Sequence, residues 1–301
     1  MYGLERLTYL CLKGDTHTDF YTAFATEELR ATPPTVLCSV SLSITVYTKT
    51  GNPAALVFIP ICAGRRAGMR IFMIVALKTF TPNPLQVIEE AACECYQSTP
   101  DPDGKHVHQC YFSGHHSVLE HVSFTFQATG ISRACLAQLT RHRLVSFSVE
   151  SQRYVNYEQG LPFRMPDSIK NSPQAADRFS KAMGLAHAAY VSLLDVGIPK
   201  EDARFVLPNA TTCNVTFTMN LREFIHMCNE RLCSRAQWEI RELVSGMVEE
   251  VNKATGKKFS YMLQPKCLSN PLLPLCMEGK HSCGRAPTVS RYIENNPKEE
   301  H

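Results

Sequence analysis

What this chain has little of narrows its function first. It has no apolar stretch near the ~20 residues a membrane-spanning helix needs. Ala54–Ala63 is short, and Gly64-Arg65-Arg66 separates it from the next apolar run, Ile71–Leu77. Met1 is followed by acidic and polar residues rather than by a cationic segment and an apolar run, so no secretory leader is read. A soluble, cytoplasmic protein without a membrane partner is expected. Charge of one sign is also scarce: the net charge is +3, too small to argue for or against polyanion binding. The 13 cysteines are odd in number and lack disulfide-framework spacing, which fits a reducing compartment. The two paired spacings of a zinc fingerprint are missing as well.

The 301 residues, 44% of them hydrophobic, predict one or two domains with a sizeable core. Residues 1–68 are rich in Thr and Ser, with patchy apolar runs, and read as an atypical N-terminal extension. Ile71–Leu77 reads as a first β-strand, so Met69 or Met73 would be a natural start. The extension is then either upstream sequence from a misassigned start or a genuine addition. From residue 70 the pattern is regular. Asn83-Pro84 offers an N-cap and an N1 proline for a helix carrying Leu85, Ile88, Ala92 and Cys95. Ser117-Val118-Leu119-Glu120 has the form of a capping box. Val122, Phe124 and Phe126 alternate as a strand ending at Gly130, and Ser132 can cap a helix running towards His142. Ser172-Pro173 opens a long helix with the stripe Phe179, Met183, Ala186, Tyr190 and Leu193, stopped by Gly197. Asn214–Met219 alternates as a strand, and Asn220-Leu221-Arg222-Glu223 starts a helix reaching about Leu232. Ile240, Leu243, Val244, Met247, Val248 and Val251 form a further amphipathic stripe. Residues 257–301 read as a loop-like, cysteine-containing tail.

Against this background one stretch is dense in donors. Arg141-His142-Arg143 is followed by seven residues and then Ser151, with Gln152, Arg153 and Tyr154 continuing it. Arg and Ser in this density, without a lysine run or a glycine-rich loop, suit phosphorylated ligands. On a helix, Gln138, Arg141, His142 and Val145 would share one face. Three further constellations follow the same theme. His115, Ser117, Glu120 and His121 precede the Val122–Phe126 strand; Arg204 sits in Ala203-Arg204-Phe205-Val206-Leu207-Pro208; and Asn220, Arg222, His226, Arg231 and Arg235 lead into Ala236-Gln237-Trp238-Glu239-Ile240. Trp238 and Ile240 are read as core. Metal binding is the rival for His106, His108, Cys110, His115, His116 and His121, because His-Val-His-Gln-Cys would put three ligands on one strand face. Cys267, Cys276 and Cys283 could take zinc with His281, but are read as free thiols, and no metal is expected.

The string R-H-R-x7-S, with H-x-[ST]-x-x-E-H, A-R-x-x-L-P and R-A-Q-W-E-I in order over about residues 70–255, resembles the flavin-dependent thymidylate synthases. The resemblance implies an α/β fold, a sheet flanked by long helices, assembled as a homotetramer with sites where subunits meet. The catalytic domain would be residues 69–256. It implies reductive methylation of dUMP to dTMP, with methylenetetrahydrofolate as carbon donor, FAD as cofactor and NADPH as reductant. FAD would be met by Ser117, Arg141, His142, Arg143, Asn220, Arg222, His226 and Arg235, with His115 beside the flavin ring. His226 and Arg235 stand where some members carry Asn and His. The nucleotide would be met by Gln138, Arg141, Glu150, Ser151, Gln152, Arg153, Arg204 and Arg231, with Ser151 and Arg153 at its phosphate. Arg231 would stabilise uracil deprotonated at N3, in place of a cysteine nucleophile. No Pro-Cys-His segment of the conventional thymidylate synthases occurs. Val149 departs from the Gln or Glu of many members. The remaining readings are a basic-helix nucleic-acid binder, against which the small net charge counts, and a zinc-binding structural module.

Overall fold

The computed structural model describes the strand residues Ala23–Thr26, Val40–Tyr47 and Pro53–Ile61, and residues 73–95, 97–270 and 272–296. The chain divides into two compact units, Met1–Ala67 and Gly68–His301. In the first, β1 (Ala23–Thr26), β2 (Val40–Tyr47) and β3 (Pro53–Ile61) form an antiparallel sheet in that order.

The second unit is α/β. It runs β4 (Ile74–Phe80), α1 (Pro84–Glu94), α2 (Lys105–Phe112), a 3-10 turn (His116–His121), β5 (Ser123–Ser132), α3 (Arg133–Leu139) and β6 (Val145–Val149). Then come α4 (Asp167–Lys170), α5 (Pro173–Asp195), α6 (Lys200–Ala203), β7 (Thr212–Asn220), α7 (Leu221–Arg231), α8 (Trp238–Thr255) and α9 (Val289–Asn295). The sheet order is β4-β5-β7-β6, and every neighbouring pair is antiparallel. Ile71 and Phe72, the start of the expected first strand, lie outside the described residues.

Alternation in β5 and β7 puts Phe124, Phe126, Ala128, Val215, Phe217 and Met219 on one buried face. Thr125 and Thr218 meet on the other, their hydroxyls 2.9 Å apart. The buried face is covered by α7 and α8 through Phe224, Ile240, Leu243, Val244, Met247 and Val251. Gly246 permits the close approach of α8 to β4, since a Cβ there would sit 3.1 Å from a Val75 methyl. At Ala128–Ile131 the β5–β7 register shifts by a bulge: three steps on β5 match two on β7. Gly130 takes φ 72°, and its amide donates to Asn214 Oδ1 at 3.2 Å. Beyond the bulge Ile131 turns inward and Ser132 caps α3, accepting from the Cys135 amide at 3.0 Å. A second, smaller core gathers Tyr157, Leu161, Met183, Tyr190 and Ala203 beneath α5.

Several local expectations change. Pro84 is N1 of α1, but Asn83 stands in the left-handed region at φ 48° and its side chain caps nothing. The capping box at Ser117 does not form. That segment is a 3-10 turn without a side-chain cap, because Glu120 turns out to pair with Arg222. The spacing His106, His108, Cys110 mimics a strand but lies on α2, so the three do not share a strand face. The helix carrying Gln138 ends at Leu139, and Arg141, His142 and Val145 fall in the turn and on β6. Of the α5 stripe, only Met183 and Tyr190 are buried. Ile240 is core, whereas Trp238 is half-buried with the Arg164 guanidinium 5.0 Å over its ring. The tail is partly drawn into the core: Phe259, Met262 and Leu263 are buried, and α9 follows.

Candidate functional site

The tightest polar constellation links α3, the turn before β6 and α7. His142 is only 4% exposed. Its Nδ1 lies 3.1 Å from Glu223 Oε1, and its Nε2 accepts from Arg231 Nε at 3.1 Å. An arginine cannot accept, so Nε2 must be the bare nitrogen and Nδ1 carries the proton towards Glu223. Burial pushes the imidazolium pKa down, the hydrogen bond to Glu223 opposes this, and the Arg231 charge pushes it down further; the net effect is downward. His142 is therefore neutral and holds Arg231 by a directional bond. Arg231 Nη2 also reaches the Gln138 carbonyl at 3.5 Å. Gln138 in turn approaches Gln237, whose Oε1 caps α8 by accepting from the Glu239 and Ile240 amides. The His226 ring stands edge-on to His142 at 5.7 Å and is exposed. Helical phase makes this possible: Glu223 and Met227 sit on the buried side of α7 while Arg222 and His226, four apart, face out.

A second group lies at the other end of α7. Arg222 pairs with Glu120 of the 3-10 turn. Asn220 is spent as the α7 N-cap, accepting from the Glu223 amide at 2.9 Å. His115 and Ser117 are exposed on the same turn. A third group follows β6. Ser151 Oγ accepts from the Arg153 amide at 3.2 Å, and Arg153 Nη2 lies 2.7 Å from Glu201 Oε2. Arg204 Nε donates to the Glu201 carbonyl at 3.0 Å, so both predicted nucleotide arginines converge on Glu201. Gln152 is half-buried beside them in sequence. Glu150 is otherwise engaged: Oε1 accepts from Tyr157 at 2.9 Å and Oε2 from the Asn214 amide at 3.3 Å. Its carboxylate braces the segment rather than standing free for a ligand. Arg141 and Arg143 are exposed and, among the described residues, make no ion pair. Arg235 lies apart from these groups, paired with Glu278 in a cleft of about 300 Å³ between the α7–α8 connection and the tail.

Among the described residues no hydrogen bond or ion pair joins the Arg231 group to the Arg153–Arg204 group. Sequence reasoning did not single out Glu223 as a site residue, because its position three after Asn220 explains it as part of a helix start. It also missed Glu201, which carries no motif.

The chain matches the family model described as "Thymidylate synthase complementing protein" over residues 76–255. A flavin-dependent thymidylate synthase from Geobacter sulfurreducens is 41% identical over 232 residues, covering 73% of this chain and 98% of that one. One from Clostridium tetani is 35% identical over 243 residues, covering 72% and 95%. Among solved structures, the UMP/dUMP methylase PolB from Streptomyces cacaoi bound with 5-Br dUMP aligns with a TM-score of 0.55 and 26% identity, over 64% of this chain and 96% of that one. Thymidylate Synthase X from Helicobacter pylori with FAD and dUMP aligns at 0.52 and 23% identity, over 64% and 99%, a likeness of fold. The motif order, the antiparallel sheet with its helices and these relatives agree: the chain belongs to the flavin-dependent thymidylate synthase family.

Proposed function

We propose that this protein methylates dUMP to dTMP reductively, with FAD as its bound cofactor, methylenetetrahydrofolate as carbon donor and NADPH as reductant. The observation that carries the reading is the buried His142–Glu223 pair, which fixes the Arg231 guanidinium from behind. Arg231 Nη1 makes no protein hydrogen bond among the described residues and is left for a ligand. A fixed cation beside uracil lowers the cost of charge on the ring, the electrostatic activation that replaces a thiolate nucleophile. The cysteines support this division of labour. Burial pushes the Cys135 thiol well above its ordinary range and does the same to Cys228, so neither is a ready thiolate.

The residues present fit a flavin dinucleotide. Arg141, Arg143, Arg222 and His226 are exposed donors, and together they suit a pyrophosphate. Bound FAD, once reduced, supplies the hydride. The chain's own residues then position and neutralise. Arg141, His142, Arg143, Ser117, Asn220, Arg222 and His226 take the cofactor side, with Arg235 at its margin. His115 is placed beside the ring. Ser151, Gln152 and Arg153 hold the nucleotide phosphate, with Gln138, Arg141, Arg204 and Arg231 around the nucleoside and Glu150 bracing the loop. Glu201 must release Arg153 when phosphate arrives, an exchange of one exposed ion pair for a stronger bidentate contact.

The homotetramer belongs to the same proposal. Leu185 and Val196 are each 73% exposed and Phe205 is 82% exposed, more apolar surface around α5 and Arg204 than an isolated subunit tolerates well. Subunit association that buries this surface would bring the separate arginine groups into shared sites. Neither nucleic acid nor a membrane enters the reading.

The test is an absorption spectrum of the purified protein before and after dUMP. Flavin bands that shift with dUMP support one shared site, and a protein that stays colourless with added FAD overturns it. Arg231→Ala is expected to abolish dTMP formation while retaining FAD.

A further inference from the structure

We propose that Cys233, Cys267, Cys276 and Cys283 form a tetrathiolate zinc site that staples the C-terminal tail to the α7–α8 connection. The sequence expectation is three free tail thiols, with His281 as an outside candidate for a fourth ligand. The structure instead supplies Cys233 from the end of α7. All four cysteines line the one cleft of about 300 Å³, and His281 does not.

Three observations support a metal. The first is topology. The tail's own backbone bonds bring its cysteines together: the Leu275 amide donates to the Cys267 carbonyl at 3.1 Å, and the Cys276 amide to the Pro287 carbonyl at 2.8 Å. Cys276 also bridges Thr288, and Arg285 Nη1 donates to the Leu232 carbonyl at 3.2 Å, beside Cys233. The second is the lack of a core. Across residues 272–296 only Cys276 and Ala286 are buried, while Leu272, Met277 and Ile293 are exposed. A loop-rich segment that buries so little needs a covalent or metal staple to hold one conformation. The third is charge. Four thiolates around Zn²⁺ carry a net charge of −2, and Arg235, Lys266 and Arg285 line the same cleft, against Glu278 and Glu230. Sulfur-only donors of this number select zinc or iron–sulfur chemistry. Nothing here resembles the spacing of a disulfide framework, and the four are thiols in this structure.

The sulfurs are not gathered within 4.8 Å of one another, so zinc must draw them in; Cys283, exposed on the tail, has room to turn. The two donor groups that do meet that distance explain themselves otherwise. Glu89–Cys93–His106 is a carboxylate accepting from the Asp101, His106 and Val107 amides at the start of α2, and His142–Glu223–His226 belongs to the site above.

The experiment measures metal in the full-length protein, purified reduced and without chelator, by inductively coupled plasma mass spectrometry. About one zinc per chain is expected. Cys283→Ser should lower zinc occupancy at least about tenfold after dialysis against a mild chelator. Cys95→Ser, an exposed cysteine outside the cleft, should leave it unchanged. Cys267→Ser repeats the test from the other side of the cleft. The proposal is overturned by a metal-free chain that takes up no added zinc, by iron in place of zinc, by equal zinc in wild type and Cys283→Ser, or by a disulfide among the four in the intact mass. The readout is metal content, so it stands or falls independently of FAD binding and of dTMP formation.

Discussion

Glu223→Ala tests how Arg231 is held. Glu223 is 5% exposed and His142 4%, so the bond between them is dry. Removing the carboxylate leaves the His142 Nδ1–H without an acceptor, at a cost of about 1–3 kcal/mol. The imidazole escapes that cost by moving its proton to Nε2. There it faces the Arg231 Nε–H, and the second bond in the chain is lost as well. A hydrogen bond to a charged group is worth about 1.5–3 kcal/mol, so the rate of dTMP formation should fall roughly ten- to hundredfold. Glu223→Gln keeps an acceptor oxygen and should stay within about threefold of wild type. The assay is single-turnover dTMP formation with pre-reduced flavin, with FAD content and melting temperature measured on the same samples. A folded, flavin-loaded Glu223→Ala protein with a wild-type rate would refute the claim that His142 positions Arg231 through its tautomer.

Three other outcomes are expected. Because the folded-state pKa of His142 is lowered, protonation favours the unfolded chain. That share of stability is complete above about pH 6.5 and is lost as pH falls through the folded value. Urea midpoints from pH 8 to 5 should decline more steeply for wild type than for His142→Gln, and parallel curves would contradict this. Ser132→Ala removes both the α3 cap and the hydroxyl donor to buried Glu239 Oε2, and should cost about 2–4 kcal/mol in chemical denaturation. Glu201→Ala breaks an exposed pair worth about 0–1 kcal/mol, so stability should hardly move. It should lower the KM for dUMP if Arg153 takes the phosphate, and an unchanged KM would count against that role.

Much of the second unit was legible because its signals are local. The alternation of Phe124 and Phe126, the Ser132 and Asn220 caps, and the stripe of α8 all depend on near neighbours, and all three stand. The capping box at Ser117 failed because Arg222, 102 residues from Glu120, competes for the same carboxylate. α2 was missed because His106, His108 and Cys110 give two-residue spacing without an apolar contrast to correct it. In the site, Arg231 and His142 were named from motif resemblance, but their union spans 89 residues and depends on Glu223, which local reading assigns to a helix start. The cleft around Cys233 was invisible for the same reason: its fourth cysteine lies on another element.

The bulge in β5 has an effect on tolerance to length change. Core-facing residues occupy even positions up to Ala128 and then switch to Ile131. Deleting one residue at Thr129 or Gly130 would restore uninterrupted alternation and make a more regular strand. It would also carry Ile131 to the polar face and swing Ser132 off Glu239, so α3 would start about a hundred degrees out of phase and Gln138 would turn away from Arg231. The irregularity thus acts as a phase-setter. Single-residue deletions here should be far more damaging than the surface position of a sheet end suggests, and a substitution that keeps the count should be tolerated better than a deletion that makes the strand ideal.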